Sequence, residues 1–350
     1  MKTLLLAVYC LLFCCSSYAK IWRVNNNSGI NVGLTTLQAA HDAAASGDTI
    51  HVEGSPNSYG TLTSTKKLTI IGPGFFLDAN TNLQAFTQTA RISGITYYVG
   101  SEGSVVLGMD FSGNSINVFC NDIIIKRNKF SSFGNSDPEW QSGTIGLYYK
   151  QNDSSIPVNN IIITQNFGFV LFIQQPSTGI LVTNNYMFVG SSQGEQTESL
   201  CINSSVNAVT LIQNNVFRRG KVRTYTSTLT NNIMYVGTFE GTDNLLSNNI
   251  GSGTQFGTAN NNKSNIDMST VFVLTGSPDG YFKLKSGSPA IGAGYGSTAQ
   301  NPVDAGMFGG QTPYVLSGIP PIPSVYFFEN QPVGSSADPI DVTVKVRSNN

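Results

Sequence analysis

Charged residues are scarce in this chain, so the places where they gather stand out. "SSFGNSDPEWQSG" from Ser131 carries Asp137, Glu139 and Trp140, and "GSSQGEQTES" from Gly190 carries Glu195 and Glu198. Arg218, Arg219, Lys221 and Arg223 follow soon after. Brought together, these groups could grip an acidic sugar chain, with Trp140 as a stacking surface and the guanidiniums as bidentate partners of carboxylates. Pairs of acids, Asp137 with Glu139 or Glu195 with Glu198, also suit general acid and base work on a glycosidic bond. The competing reading is a solvated flank of loose salt bridges. The choice depends on whether the chain carries both loops to one place.

The elements that would do so form a repeat. Six stretches share one grammar: "IIIKRNKF", "IIITQNFGF", "ILVTNNYMF", "VTLIQNNVFRRG", "TLTNNIMYV" and "LLSNNIGSG". One Asn aligns in all of them, at Asn128, Asn166, Asn185, Asn215, Asn232 and Asn249, usually with an apolar residue three places earlier and another two places later. The shortest spacings are 17 (215 to 232 and 232 to 249) and 19 (166 to 185). A short unit with occasional insertions marks a solenoid, whose units bury their apolar faces only by stacking. The units are β-branched and broken by Asn and Gly, so they read as short strands of a parallel β-helix. Equivalent residues of successive coils then lie about 4.8 Å apart. An Asn at a sharp bend can hydrogen-bond the Asn above and below, and Asn also tolerates the left-handed backbone of such bends. The six Asn residues are therefore assigned to a structural ladder, in preference to calcium ligation or catalysis. Both insertions leave the coil just after the aligned Asn, which should set them on one side of the solenoid, where loops on a rigid scaffold carry binding groups.

The ends of the chain read differently. "MKTLLLAVYCLLFCCSSYAK" has the early Lys, apolar centre and small-x-small ending of a secretory signal cut before Lys20, leaving residues 1–19 out of the fold. "TTLQAAHDAAASGDTIHV" predicts a Thr-capped helix from Leu37 to about Ala45 that covers the first coil. "YFKLKSGSPAIGAG" and "DAGMFGG" are expected to finish the far end near Gly310. Residues 311–350 are Pro-rich and end in "IDVTVKVRSNN", an alternating strand expected to be half-buried. A lone strand must pair with the solenoid, another subunit or an export or anchoring partner.

Taken together, "LQAAHDAAASGDTIHV", "LTIIGPG", the Asn-centred coils and "GSPAIGAG...DAGMFGG" resemble secreted bacterial right-handed β-helix proteins of the pectate-lyase-like superfamily. The resemblance covers about residues 20 to 310 and implies an all-β, right-handed parallel β-helix with an N-terminal capping helix. Activity does not follow from it, since that superfamily includes lyases, hydrolases, epimerases and non-catalytic surface proteins. The adjacent Asp pair and G-H-G segment of polygalacturonase-like hydrolases are missing, and the two histidines, His41 and His51, both lie near the N-terminus. The Asp cluster that holds calcium in pectate lyases is also missing from the sequence. Lyases that use a Lys and an Arg with Asn and Glu calcium ligands leave Lys126, Arg127, Arg218, Arg219, Glu195 and Glu198 formally available.

A formal net charge of −1 with 11% charged residues argues against nucleic acid as a partner. Beyond the leader no apolar run approaches the roughly 20 residues of a membrane helix. Only Cys120 and Cys201 remain after residue 19, too few for a disulfide framework. The leading expectation is a secreted or cell-surface β-helix that binds polysaccharide or another extended ligand, without cofactor or metal. The alternative is a polysaccharide lyase acting on uronic-acid glycans by calcium-assisted β-elimination.

Overall fold

A computed structural model describes residues 19–133, 139–193, 198–335 and 338–349. Residues 1–18, where the sequence suggests a secretory signal, Asp137 and Glu195 lie outside the described residues. Short β-branched runs become strands, each parallel to its equivalent one coil earlier. Ten of them follow chain order in a first sheet, from Ile21–Val24 and Thr49–Val52 to Thr228–Thr230 and Leu245–Ser247. A second sheet of 12 strands closes the rest of each coil. One of its rows follows the Asn turn directly, through Tyr186–Phe188, Val216–Arg219 and Ile233–Met234. The other includes Ser115–Val118, Gly143–Leu147, Leu200–Ser204 and Lys221–Arg223. The seven-residue strand Phe167–Ile173 belongs to both rows. Parallel pairing in chain order on successive coils makes the chain a parallel β-helix.

Period-2 alternation turns one residue of each short strand into the core. Ile50, Ile70, Val106, Ile125, Ile163, Val182, Ile212 and Leu229 stack in register down the first sheet, and all are fully buried. Leu62, Ile95, Ile116, Ile145, Leu171, Ile202 and Val222 form the facing stack. Each such side chain contributes about 1.5–3 kcal/mol on burial. The first coil is covered by helix α1, Leu37–Ala43, whose N-cap Thr36 accepts from the Ala39 amide at 3.2 Å. The helix stops two residues short of the expected Ala45, and His41 on its buried face accepts from the Thr65 amide at 3.1 Å.

Asn128, Asn166, Asn185, Asn215, Asn232 and Asn249 are fully buried at one corner of successive coils. Each donates its backbone N–H and its side-chain amide to Oδ1 of the Asn in the next coil, as Asn215 does to Asn232 at 3.0 Å twice over. The second amide hydrogen goes to a carbonyl of the preceding coil, from Asn215 to Val182 at 2.8 Å. A seventh member, Asn262, accepts from Asn249 at 2.9 and 3.1 Å. The left-handed conformation falls on the residue before each ladder Asn, not on the ladder Asn itself. Arg127, Gln165, Asn184, Asn214, Asn231 and Asn248 all have φ between 54° and 58°.

Those left-handed residues point outwards and hold a second layer. Residues 268–319 do not finish the far end of the solenoid, as the sequence led us to expect; they run back along its side. Asn248 donates to the Ala293 carbonyl at 3.0 Å, Asn214 to Asp304 at 3.0 Å and Asn184 to Gly309 at 2.8 Å. Gln165 donates to Thr312 at 3.2 Å, and Arg127 to Ile319 at 2.8 Å. The physical reason is an apolar column one place after five of the ladder Asn residues, from Asn166 to Asn249. Phe167, Tyr186, Val216, Ile233 and Ile250 face out of the solenoid and are buried beneath Phe272, Phe282, Ala305, Met307 and Tyr314 of this arm. Buried Asp279 fixes the arm, accepting from Asn80 at 2.8 Å and from the Ser317 amide at 2.5 Å.

The tail then departs from expectation in a second way. Val342–Arg347 pairs antiparallel with Ser324–Asn330 of the tail itself, rather than with a solenoid strand. The hairpin is tied to the solenoid by the Ala85 amide donating to the Val325 carbonyl at 2.9 Å and by Arg347 donating to the Leu83 carbonyl at 3.0 Å. Its valines are not half-buried: Val342, Val344 and Val346 are 53%, 49% and 60% exposed. Among the described residues, no helix is long and apolar enough to cross a membrane.

Candidate functional site

The two insertions meet. The Ser191 amide donates to the Glu139 carbonyl at 3.2 Å and the Ser192 amide to the Trp140 carbonyl at 3.0 Å. Contact is this close because Gly190 has no side chain, since a Cβ there would stand 2.7 Å from Gln141 Cα. Beneath them the strand Val216–Arg219 carries a bulge. Met187 pairs with Phe217 but Phe188 pairs with Arg219, which leaves Arg218 as the extra residue. A regular strand would send one of two consecutive arginines inwards; the bulge lets both stay on the outer side.

Glu139, Arg218 and Arg219 are thus drawn together around Tyr186, the outward residue next to ladder Asn185. The Tyr186 hydroxyl donates to Glu139 Oε1. Arg219 Nη2 lies 3.1 Å from Glu139 Oε2 and donates to the Glu139 carbonyl at 3.1 Å, while its Nε donates to the Val189 carbonyl at 2.9 Å. Arg218 is held more loosely. Its Nε is 3.7 Å from Glu139 Oε2, its guanidinium lies 4.1 Å from the centre of the Tyr235 ring, and its side chain is 28% exposed. These groups line a cavity of about 360 Å³ with Phe133, Phe167, Pro278, Tyr281 and Phe282. Tyr186 is stacked against Phe167 at 4.5 Å and packs on Phe282 at 4.3 Å between ring centroids. Burial and the neighbouring Glu139 hold the Tyr186 hydroxyl protonated far above the usual phenol range.

The remaining expected site residues lie elsewhere. Trp140 is 45% exposed and is not part of the cavity wall. Glu198 faces solvent and bonds Lys221 at 2.8 Å; Lys221 also reaches Glu240 at 3.0 Å, and Glu240 pairs with Arg223 at 2.9 Å. That string of two acids and two bases neutralises itself. Its bonds to Glu198 and Glu240 raise the Lys221 pKa, and those of Lys221 and Arg223 lower that of Glu240. Arg127 is buried, donating to Gln165 at 2.8 Å as well as to Ile319, so it is a clamp and not a base. Among the described residues, no three His, Cys, Asp or Glu side chains gather as a metal site would need.

No protein-family model, curated protein or solved structure matches this chain. Any functional reading must therefore come from the site itself. Sequence reasoning missed Tyr186, Tyr281 and Phe282. Tyr186 had a signal, being the polar-tipped member of the apolar column after the ladder; Tyr281 and Phe282 come from the returning arm, which carries no period.

Proposed function

We propose that this protein is a non-catalytic glycan-binding β-helix that acts outside the cell, seating an acidic sugar of an extended polysaccharide in the cavity between Glu139, Arg218 and Tyr281. The observation that carries this reading is the charge count among the described residues: two guanidiniums, Arg218 and Arg219, face one carboxylate, Glu139, among aromatic walls. One positive charge is left over where water is partly excluded, which favours an anion. Arg219 is committed to Glu139 and Val189, whereas Arg218 has one long polar contact and an exposed edge. A carboxylate arriving at that edge would gain a charge-assisted bond. The volume suits one sugar ring with its neighbours lying outside. Binding is favoured over β-elimination because elimination needs a proton acceptor. Tyr186 keeps its proton, and Glu139 is engaged by Tyr186 and Arg219.

Calorimetric titration with oligogalacturonate and with a neutral oligosaccharide tests the reading. Binding of the acidic chain, weakened at least about tenfold by Arg218→Ala, is the expected result. Acidic-chain affinity that Arg218→Ala leaves unchanged would overturn it. Unsaturated-product absorbance appearing on incubation, with or without calcium, would establish the lyase alternative instead.

A further inference from the structure

A larger groove lies on the other side of the Asn corner, with a quite different chemistry. It is about 750 Å³, floored by the outer face of the first sheet at Leu181, Leu211 and Gln213, and walled by the arm at residues 295–303 and 310–312. Among the described residues no acidic or basic side chain lines it. Four amide side chains, those of Gln213, Gln300, Asn301 and Gln311, make no hydrogen bond to any described residue. Tyr295 stands at the edge and is 69% exposed.

We propose that this groove is a binding site for a neutral oligosaccharide, separate from the acidic-sugar cavity and independent of it. A planar amide offers both donor and acceptor, which matches the paired hydroxyls of a sugar ring. Leu211 and the ring of Tyr295 supply the flat apolar surface that the C–H face of such a ring covers. With no charge in the groove, an anionic or cationic ligand would find nothing to compensate its desolvation. The wall is already in place before any ligand arrives. Asn231 accepts from the Tyr295 amide at 2.7 Å, Asn214 donates to Asp304, and Asn184 to Gly309. A prebuilt wall lowers the ordering cost of binding.

The full chain is titrated calorimetrically with cellohexaose, xylohexaose and mannohexaose, followed by Gln213→Ala, Tyr295→Ala and Arg218→Ala variants of unchanged melting temperature. Binding of at least one neutral hexasaccharide is expected. Tyr295→Ala and Gln213→Ala should each weaken it at least about tenfold, and Arg218→Ala should leave it unchanged. Absence of millimolar binding by all three sugars overturns the proposal. Binding that survives both groove substitutions, or that is lost with Arg218, overturns it equally; failure of all three sugars to bind leaves the acidic-sugar reading standing, whereas neutral binding lost with Arg218 counts against both.

Discussion

Asn215 shows how much a single polar side chain carries in this fold. Its Oδ1 accepts the backbone and side-chain amides of Asn185, at 3.0 Å each, while its own amide bonds Val182 and Asn232. Asn215→Ala leaves two donors of Asn185 unmet in a dry corner and should cost about 1–3 kcal/mol, read as a shift of the urea midpoint at unchanged slope. A variant as stable as the parent would count against the ladder as a stabilising device. Trp140 and Arg218 make the opposite contrast. Trp140→Ala should leave uronate affinity unchanged because the indole is outside the cavity wall, whereas Arg218→Ala should weaken it at least about tenfold. The aligned Asn positions were legible in the sequence because one residue type recurs at a fixed offset. That the left-handed residue sits one place earlier was not legible, since Asn occupies both places in four of the six repeats.

The elements differ in how openly they announce themselves. Strands with one inward β-branched residue per coil are readable, and so is a helix that begins at Thr36. The arm is not, because Gly, Ser and Pro break its apolar residues into no repeating pattern; only the outward column of Phe167, Tyr186, Val216, Ile233 and Ile250 hints that something must cover it. Phe282 is the arm's plug against Tyr186 and Phe272. Phe282→Ala should cost about 3–5 kcal/mol and open the cavity, lowering acidic-sugar affinity in the same titration; loss of neither would contradict the arm's placement. The start of the solenoid has its own device. Asp48 accepts from the Lys20 amide, the Trp22 indole and the Ala45 amide, at 2.8, 2.8 and 2.9 Å. These bonds hold its carboxyl below the usual carboxylate range, the Lys20 amide most strongly. Such stability is present above the unfolded carboxylate pKa, about 3.9, and is lost as pH falls through the lower folded value. Asp48→Asn should therefore flatten the acid limb of the melting-temperature profile.

For the molecule as a whole, the parallel register predicts what the two cysteines do. Ile116, Ile145, Leu171 and Ile202 occupy successive positions of one stack, so the strands beside Cys120 and Cys201 are three steps apart. Three steps are about 14 Å, twice the roughly 7 Å a disulfide permits. Burial pushes the Cys120 thiol up to about 12 and holds Cys201 protonated as well. Protein purified without reductant should show two free thiols after denaturation and none reactive before it. The same register places the insertions over the bulged strand and the arm against them, and the cavity exists only because three distant segments meet there. A crystal soaked with trigalacturonate examines that junction directly. A carboxylate within about 2.7–2.9 Å of the Arg218 guanidinium, its ring between Phe133 and Tyr281, is the expected result, and a sugar ordered elsewhere on the solenoid with this cavity empty would contradict it.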